Sequence, residues 1–135
     1  MHGAYAKPTD MKNHPHALVS ISILLGAASA HAELIDIQWD GNGRFEKTTT
    51  VEPGKFAEFC SSLSKGQSIT WVFKTESPMN FNIHYHEGKK VEFPAKIDGA
   101  LAAHGELLLL LDHHYCWMWA NKTDKAGQLT LTLQK

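Results

Sequence analysis

Short segments of alternating apolar and polar residues, each stopped by turn residues, constrain the fold of this 135-residue chain more than any other feature. The segment 33–39 alternates and ends at an Asp-Gly-Asn-Gly turn, and the segment 45–52 ends at Pro-Gly. Further segments of strand length follow at 55–63, 67–75, 79–86, 106–111, 115–121 and 128–134. Alternation over these lengths is typical of half-buried β-strands. We therefore predict an all-β fold, an antiparallel β-sandwich of seven to eight strands.

The start of the chain is not expected to belong to this sandwich. Residues 11–32 carry a lysine near the start, an apolar stretch and an Ala-His-Ala sequence, the pattern of a signal peptide cleaved after Ala32. The apolar stretch is shorter than the ~20 residues that an anchored transmembrane helix needs. Residues 1–10 fit neither a signal nor a strand, and we interpret them as a mis-annotated start upstream of Met11. Residues 33–135 are then a single domain in a periplasmic or secreted protein, with no membrane anchor after cleavage.

The charge balance argues against several classes of partner. The chain has 13 lysines and arginines against 14 acidic residues, a formal net charge of −1 at pH 7, and no basic run. Nucleic acid and anionic membrane surfaces are therefore not expected partners. The sequence also contains no nucleophile elbow, no His-Glu-x-x-His motif and no convincing carboxylate pair. We expect no catalytic residues and no enzymatic activity.

Two histidines lie on the polar face of the segment 79–86. His84 and His86 alternate with Phe81, Ile83 and Tyr85, which form the expected core set. Histidines two positions apart on a strand project from the same side with Cβ atoms ~7 Å apart, close enough to share one metal ion. Imidazole is the commonest protein ligand for copper and zinc. The alternative is that both histidines merely cover a solvated strand face.

Methionine supplies a second type of ligand to this predicted site. Met118, and Met79 just before the histidine strand, offer thioether sulfur, and sulfur with imidazole selects Cu(I) over hard ions. The alternative role of each methionine is to fill the core, and the tryptophans that flank Met118 either shield an ion or pack. We predict a copper site formed by His84, His86 and Met118, with Cu(I) favoured over Cu(II) and zinc as the alternative metal.

The pattern around Cys116 argues against a blue-copper electron carrier. The cupredoxin pattern has a ligand cysteine followed closely by histidine and then methionine. No histidine follows Cys116, whereas His113 and His114 precede it. Adjacent strand residues point to opposite faces, so at most one of these two histidines could join Cys116 in a site.

The two cysteines, Cys60 and Cys116, have two possible roles. In an exported protein an even pair is more often a disulfide than two free thiols, which would be candidate metal ligands. Alternation places both cysteines on the face opposite the main core, together with His84, His86 and Met118. Whether these five residues form one patch depends on strand order, which alternation does not give.

Three stretches resemble the GOLD domain, the luminal β-sandwich of secretory-pathway cargo receptors. They read FAEFCSSLSKGQSITWVF, NFNIHYHEGKK and YCWMWANKT. The family shows a cysteine before a turn of small residues and glycine, an F-x-I strand, and a Y-x-C-F-x-N strand whose cysteine pairs with the first. The resemblance implies a Cys60–Cys116 disulfide and a GOLD-like sandwich, with a cupredoxin-like one as the alternative. The His-x-His pair is not typical of that family.

Two functions follow from these observations. The first is an exported copper-binding protein for storage, delivery or resistance, whose partners are the metal ion and a protein that exchanges the metal with it. The alternative is a metal-free, disulfide-stapled interaction module of the GOLD type. In that case the sandwich edges or the tryptophan strand bind a protein partner.

Overall fold

The computed structural model describes residues 33–135, and this part of the chain folds into seven β-strands. In chain order they are β1 Glu33–Asp36, β2 Arg44–Val51, β3 Phe56–Leu63, β4 Ser68–Glu87, β5 Lys90–Leu108, β6 His113–Ala120 and β7 Gly127–Gln134. The predicted all-β class is confirmed. Within the described range no helix has the length and apolar character needed to cross a membrane. The predicted signal peptide, 11–32, and the predicted mis-annotated start, 1–10, lie outside the described residues.

The strands form one curled sheet in the order β1-β3-β6-β4-β7-β2, with β5 paired to β4. The β1–β3 pair is parallel and the others are antiparallel. Residues 70–75 of β4 pair with β7, and residues 80–84 pair with β6. Because one strand serves both halves of the sheet, the sheet folds over at the middle of β4. Phe45 of β2 and Phe59 of β3 meet across the core with ring centroids 5.8 Å apart.

The long β4–β5 hairpin differs from the prediction. Two separate strands were expected on either side of Ser77-Pro78, but β4 continues through this point, with register shifts on either side of Met79. The stretch after residue 90, expected to be irregular, is the 19-residue β5. This strand accommodates Pro94 because it pairs with β4 alone, and an edge strand tolerates a missing N–H group. It bends at Gly99, which has a positive φ of 66°.

The predicted strand 106–111 is also only partly correct. Its first residues complete β5, which ends at Leu108, and the next four residues form the connection to β6. An unbroken run of leucines does not alternate, so the pattern could not distinguish strand from loop. The consequence is that three of these leucines are exposed near one end of the sandwich.

Aromatic side chains join the two halves of the curled sheet. Trp119 of β6 lies with its ring centroid 5.1 to 5.8 Å from those of Phe59, Phe73 and Phe81. Trp117 and Trp119 are both buried, and β6 lies inside the sheet between β3 and β4. The packing role of the tryptophans is therefore the correct interpretation. The two tryptophan rings are therefore not accessible to a protein partner, and binding of a partner to the outer face of β6 stays a prediction.

The predicted disulfide is confirmed. Cys60 and Cys116 are directly opposed in the β3–β6 pair, with an S–S distance of 2.08 Å. Their neighbours Phe59 and Trp117 are buried in the aromatic core, so the sulfur atoms lie on the opposite, outer side of the sheet, as alternation predicted. In this oxidised state neither sulfur is a thiolate ligand.

A buried asparagine anchors the loop that follows β6. The Asn121 Nδ2 group donates hydrogen bonds to the carbonyl oxygens of Val51 (3.0 Å) and Lys125 (2.7 Å). Its Oδ1 atom accepts hydrogen bonds from the backbone N–H (3.0 Å) and the hydroxyl (2.7 Å) of Thr123. This side chain therefore fixes the β6–β7 loop against the end of β2.

Candidate functional site

The outer side of β3, β6 and the second half of β4 brings the predicted ligands together. We call this surface the histidine face, and it comprises Glu58, Cys60, His84, His86, His114, Cys116 and Met118. Cys116 lies opposite Cys60 on one side and opposite His84 on the other. Met118 lies in the next row, between Glu58 and Asn82. The sequence could not establish this patch, because its formation requires β6 to lie between β3 and β4.

His84 is the most constrained residue of the histidine face. Its ring is buried, with 6% of the residue exposed. Nε2 lies 3.0 Å from Glu58 Oε1, and Nδ1 lies 2.7 Å from Asn82 Oδ1. Burial lowers the pKa of His84 most strongly, the Glu58 carboxylate opposes this, and His86 adds a further lowering. A metal ion at Nε2 must therefore displace Glu58 or share the site with it.

The predicted pairing of His84 with His86 is geometrically correct. The two ring centroids are 5.4 Å apart and the ring planes are nearly perpendicular, at 87°. His86 is exposed, whereas Met118 is partly buried on the same face, diagonal to His84. The arrangement permits a site of His84, His86 and Met118, and binding of copper to it stays a prediction.

Met79 does not belong to this surface. Its side chain is buried in the core, in which Phe81 and Ile83 also lie. The expectation that Met79 could supply a second thioether sulfur is wrong, and the core-filling role is the correct one. Met118 is the remaining methionine of the described residues.

The histidines that precede Cys116 point to opposite sides of β6, as predicted. His114 lies on the histidine face, where its Nδ1 atom is 3.2 Å from the Ser62 hydroxyl. The His113 ring instead packs against Tyr85, with centroids 4.9 Å apart. One histidine of the pair therefore shares a face with the disulfide.

Glu58 is a member of the site that sequence reasoning did not identify. Its side chain alternates with the buried Ala57 and Phe59, but nothing local relates it to a histidine 26 positions later in the chain. The contact exists because β3 and β4 both pair with β6. A single sequence gives no signal for such a pairing.

A second surface lies where β5 meets the loop that precedes β6. A cleft of about 260 Å³ opens there. We call it the leucine cleft, and its lining includes Tyr85, Phe93, Leu108, Leu110, Leu111 and Tyr115. Four of these side chains are large, apolar and exposed: Phe93 by 49%, Leu108 by 60%, Leu110 by 69% and Leu111 by 41%. Apolar groups clustered on a surface in this way mark interaction sites more often than scattered ones do.

Phe93 connects the leucine cleft with the histidine face. Its ring centroid is 6.1 Å from that of His84, and the same side chain lines the cleft. The Lys96 ammonium group lies over the Phe93 ring, 5.6 Å from its centroid. The two surfaces are therefore continuous.

A larger concavity of about 600 Å³ lies on the other half of the sheet. Its lining includes Arg44, His104, Glu106 and Gln134. None of the residues predicted as metal ligands lines it. Its residues therefore serve as control positions for mutagenesis and not as a candidate site for metal binding.

The sequence matches no protein-family model and no curated protein. The GOLD resemblance thus has no support from the family comparison, although the β-sandwich and the disulfide that it implied are present. The fold is similar to that of Aeromonas hydrophila PliG, a periplasmic inhibitor of g-type lysozyme, at 15% identity and a TM-score of 0.57 over 76% of this chain and 96% of PliG.

Two further solved structures have a comparable likeness. Salmonella Typhimurium PliG, also a periplasmic inhibitor of g-type lysozyme, gives 12% identity and a TM-score of 0.54 over 76% of this chain and 98% of that one. The pre-peptidase C-terminal domain of a Bacillus anthracis collagenase gives 11% identity and a TM-score of 0.54 over 77% and 95%. At these identities the likeness establishes the fold alone.

Proposed function

We propose that residues 33–135 form an exported protein-binding module whose partner docks on the leucine cleft. The observation that carries this proposal is the cluster of exposed apolar side chains around that cleft. Keeping such side chains in water is unfavourable, and covering them with a partner recovers part of the hydrophobic free energy. Leu110 is the most exposed of them and lies in a loop, where a partner can reach it.

The β5 edge, which borders the cleft, is a less suitable docking site than the cleft itself. β5 is a free edge strand, but Pro94 lacks an N–H group and Gly99 interrupts the regular pairing. Proline and irregular pairing are the devices by which proteins prevent an edge from adding another strand. We therefore assign recognition at this surface to side chains of the cleft rather than to strand addition at β5.

The class of partner is suggested by the fold likeness. Two of the similar structures are periplasmic inhibitors of g-type lysozyme, and an inhibitor of this kind acts on a protein partner. Export of this chain is supported by the leader-like residues 11–32 and by the disulfide. A secreted g-type lysozyme is therefore the first partner to test.

The experiment measures whether residues 33–135 bind and inhibit a purified g-type lysozyme. We expect a stoichiometric loss of cell-wall lysis and saturable binding in a calorimetric titration. Leu110→Gln removes an exposed apolar anchor and should weaken binding at least tenfold, since a few central side chains dominate most interfaces. Val72→Thr is the matched control, because Val72 is half exposed but lies on the opposite half of the sheet.

Two outcomes would reject the proposal. Lysis that continues unchanged with the module in large excess excludes the lysozyme partner. Binding that Leu110→Gln and Val72→Thr weaken equally excludes the leucine cleft as the docking site.

Copper binding is the second candidate function. The observation that favours it is the 5.4 Å separation of the His84 and His86 rings, with Met118 on the same face. Imidazole with thioether sulfur suits Cu(I), whereas the nearby Glu58 carboxylate would favour Cu(II) or zinc. In this role the protein would store copper, deliver it to a protein partner or provide resistance.

A competition titration with Cu(I) tests the histidine pair. His84→Ala and His86→Ala should each lose most of the affinity, because each removes one of two imidazoles that act together. His104→Ala is the control, since His104 is exposed on the other half of the sheet. Small and equal losses from all three changes would indicate nonspecific binding to histidines.

Met118→Leu tests the identity of the metal. The substitution nearly conserves volume, so the packing cost should be less than ~1.5 kcal/mol. Cu(I) affinity should fall much more than Cu(II) or zinc affinity, because sulfur stabilises the soft ion selectively. Unchanged Cu(I) affinity in the folded variant would remove Met118 from the site.

A further inference from the structure

The disulfide lies in the middle of the nitrogen and oxygen ligands of the histidine face. The sulfur atoms of Cys60 and Cys116 and a ring nitrogen of His114 all lie within 4.8 Å of one another. The same limit holds for a second set of atoms, which consists of the Cys116 sulfur, a His84 nitrogen and a Glu58 oxygen. Cys116 belongs to both sets, so its sulfur atom lies within 4.8 Å of a nitrogen of His114 and of a nitrogen of His84.

We propose that reduction of the Cys60–Cys116 disulfide converts the histidine face into a binding site for a borderline-soft divalent ion of the Zn²⁺ type. The ligands are the thiolates of Cys60 and Cys116, the imidazole of His114 and, as the fourth, the imidazole of His84. The site differs from the copper candidate, which uses the oxidised chain and a thioether, although both sites include His84. It also does not depend on the protein-binding function.

A tetrahedral ion requires the sulfur atoms to separate and the ring of His84 to turn from Glu58 towards them. Zn–S bonds of about 2.3 Å and Zn–N bonds of about 2.0 Å place neighbouring ligand atoms roughly 3.3 to 3.8 Å apart. The sulfur atoms must therefore separate from 2.08 Å, which rotation of two directly opposed side chains can achieve. His114 is exposed and free to rotate away from Ser62, and two cysteines with two histidines form a common structural zinc set.

His84 is suited to act as the fourth ligand. Its ring is buried, and one ring nitrogen lies within 4.8 Å of the Cys116 sulfur atom. When Nε2 turns to the ion, Glu58 loses that contact, but its carboxylate remains beside the site. The other ring nitrogen, Nδ1, keeps its contact with Asn82 Oδ1 at 2.7 Å, and an oxygen acceptor at the second nitrogen is the usual outer shell of a ligand histidine.

The oxidation state of the sulfur controls the site. A disulfide sulfur carries no negative charge and is a poor ligand, whereas a thiolate is a strong one. The reductant is a dithiol: the Cys60–Cys116 bond accepts two electrons and two protons, and the dithiol closes to its own disulfide. Binding of Zn²⁺ then releases the two thiol protons to solvent. Bound metal in turn keeps the thiolates from forming the disulfide again.

The experiment uses Co²⁺ as a spectroscopic probe for Zn²⁺. Residues 33–135 are reduced with dithiothreitol without oxygen, freed of reductant by gel filtration, checked for two thiols per chain and titrated with Co²⁺. We expect one equivalent to bind, with thiolate-to-cobalt charge-transfer absorption and tetrahedral d–d bands, and Zn²⁺ to displace it. The oxidised chain should give no thiolate charge-transfer absorption. Zn²⁺ should raise the melting temperature of the reduced chain more than that of the oxidised chain.

Variants separate this site from incidental binding. His114→Ala should weaken Co²⁺ binding more than tenfold, because even the loss of an outer-shell partner costs about 10- to 100-fold. His104→Ala is the matched control and should leave the affinity unchanged. Circular dichroism at each titration point establishes that the β-sheet is present.

Three results would overturn the proposal. The first is a reduced, folded chain without charge-transfer absorption, and the second is equal affinity in the His114 and His104 variants. The third is absorption that develops only in chains without β-sheet signal, since unfolded cysteines also bind cobalt.

Discussion

Replacing Gly105 of β5 with alanine should destabilise the fold, because the Trp71 ring lies directly over this glycine. A Cβ atom at position 105 would lie 2.5 Å from Trp71 Cζ2 and 2.8 Å from Cε2, closer than real Cβ contacts. The indole ring has little freedom to move away, since its centroid is 4.8 Å from that of Phe81 and 6.3 Å from that of Phe73, with which it stacks. The substitution therefore forces either the ring or the edge strand out of place.

The magnitude follows from two opposing effects. Overpacking of a filled core costs about 1–3 kcal/mol. Alanine restricts the unfolded chain more than glycine does, which contributes about 0.4–1 kcal/mol in the stabilising direction. The expected net loss in the free energy of unfolding is about 1–2 kcal/mol. For a domain of this size that corresponds to a decrease in melting temperature of roughly 4–16 °C.

Urea unfolding followed by tryptophan fluorescence measures this loss. Gly41→Ala is the matched control, because a Cβ atom there meets no atom within 4 Å and the residue does not have a positive φ. The control should be neutral or stabilised by up to about 1 kcal/mol. Equal stabilities of the two variants would refute the reasoning, since the contact with Trp71 would then have no energetic consequence.

Four further outcomes are expected for the described domain. Changing Cys60 and Cys116 together to serine should lower the free energy of unfolding by about 4 kcal/mol, the chain-entropy estimate for a separation of 56 residues. A loss below 1 kcal/mol in urea would contradict it. Asn121→Ala should cost about 3 kcal/mol, because buried partners of its amide lose their hydrogen bonds. Unaltered thermal unfolding would show that the loop holds without it. Because the pKa of His84 is lowered in the folded chain, its imidazole takes up a proton more readily in the unfolded chain than in the folded chain. Its contribution to stability is therefore fully present above the unfolded pKa of about 6.5 and is lost as the pH falls towards the folded pKa. In the His84→Gln variant the melting temperature should depend less on pH over this pH range. If the dependence is as steep as in the wild type, another group causes the loss of stability. Glu58→Gln should lower the pKa of His84 further, because the Glu58 carboxylate raises it. An NMR titration measures this pKa, and an unchanged value would mean that the carboxylate has no effect on His84.

Much of the fold could be predicted because the signals are local. Alternation in the segment 79–86 assigned His84 and His86 to one face. Met79 was instead considered as a sulfur ligand, although it has the same parity as Phe81 and is buried with it. Ser77-Pro78 was interpreted as a strand end because proline and small polar residues usually mark turns. The strand continues there because register shifts absorb the irregularity.

The candidate site was harder to predict, because its parts come from distant positions in the chain. The contact between Glu58 and His84 depends on β6 lying between their strands, and alternation within one strand carries no information about neighbours. The leucine cleft was missed for a different reason. The run 106–111 lacks the period of a strand or a helix, so its division between β5 and a loop depends on how far the pairing with β4 extends.

Phe93 relates the two proposals to each other. A partner on the leucine cleft would cover Phe93, which also packs near His84, so it would restrict access to the ring and to the disulfide two strands away. Reduction and metal binding would move His84 towards the sulfur atoms and remove its contact with Glu58. Docking of the partner and binding of the metal ion therefore both change the surroundings of the His84 imidazole. By thermodynamic linkage, a docked partner changes the affinity for the metal by the same factor as bound metal changes the affinity for the partner. A partner that docks without changing the metal affinity of the reduced chain must contact the leucines and leave Phe93 uncovered. Such a result would place the centre of the interface at Leu110 rather than at the boundary between the two surfaces.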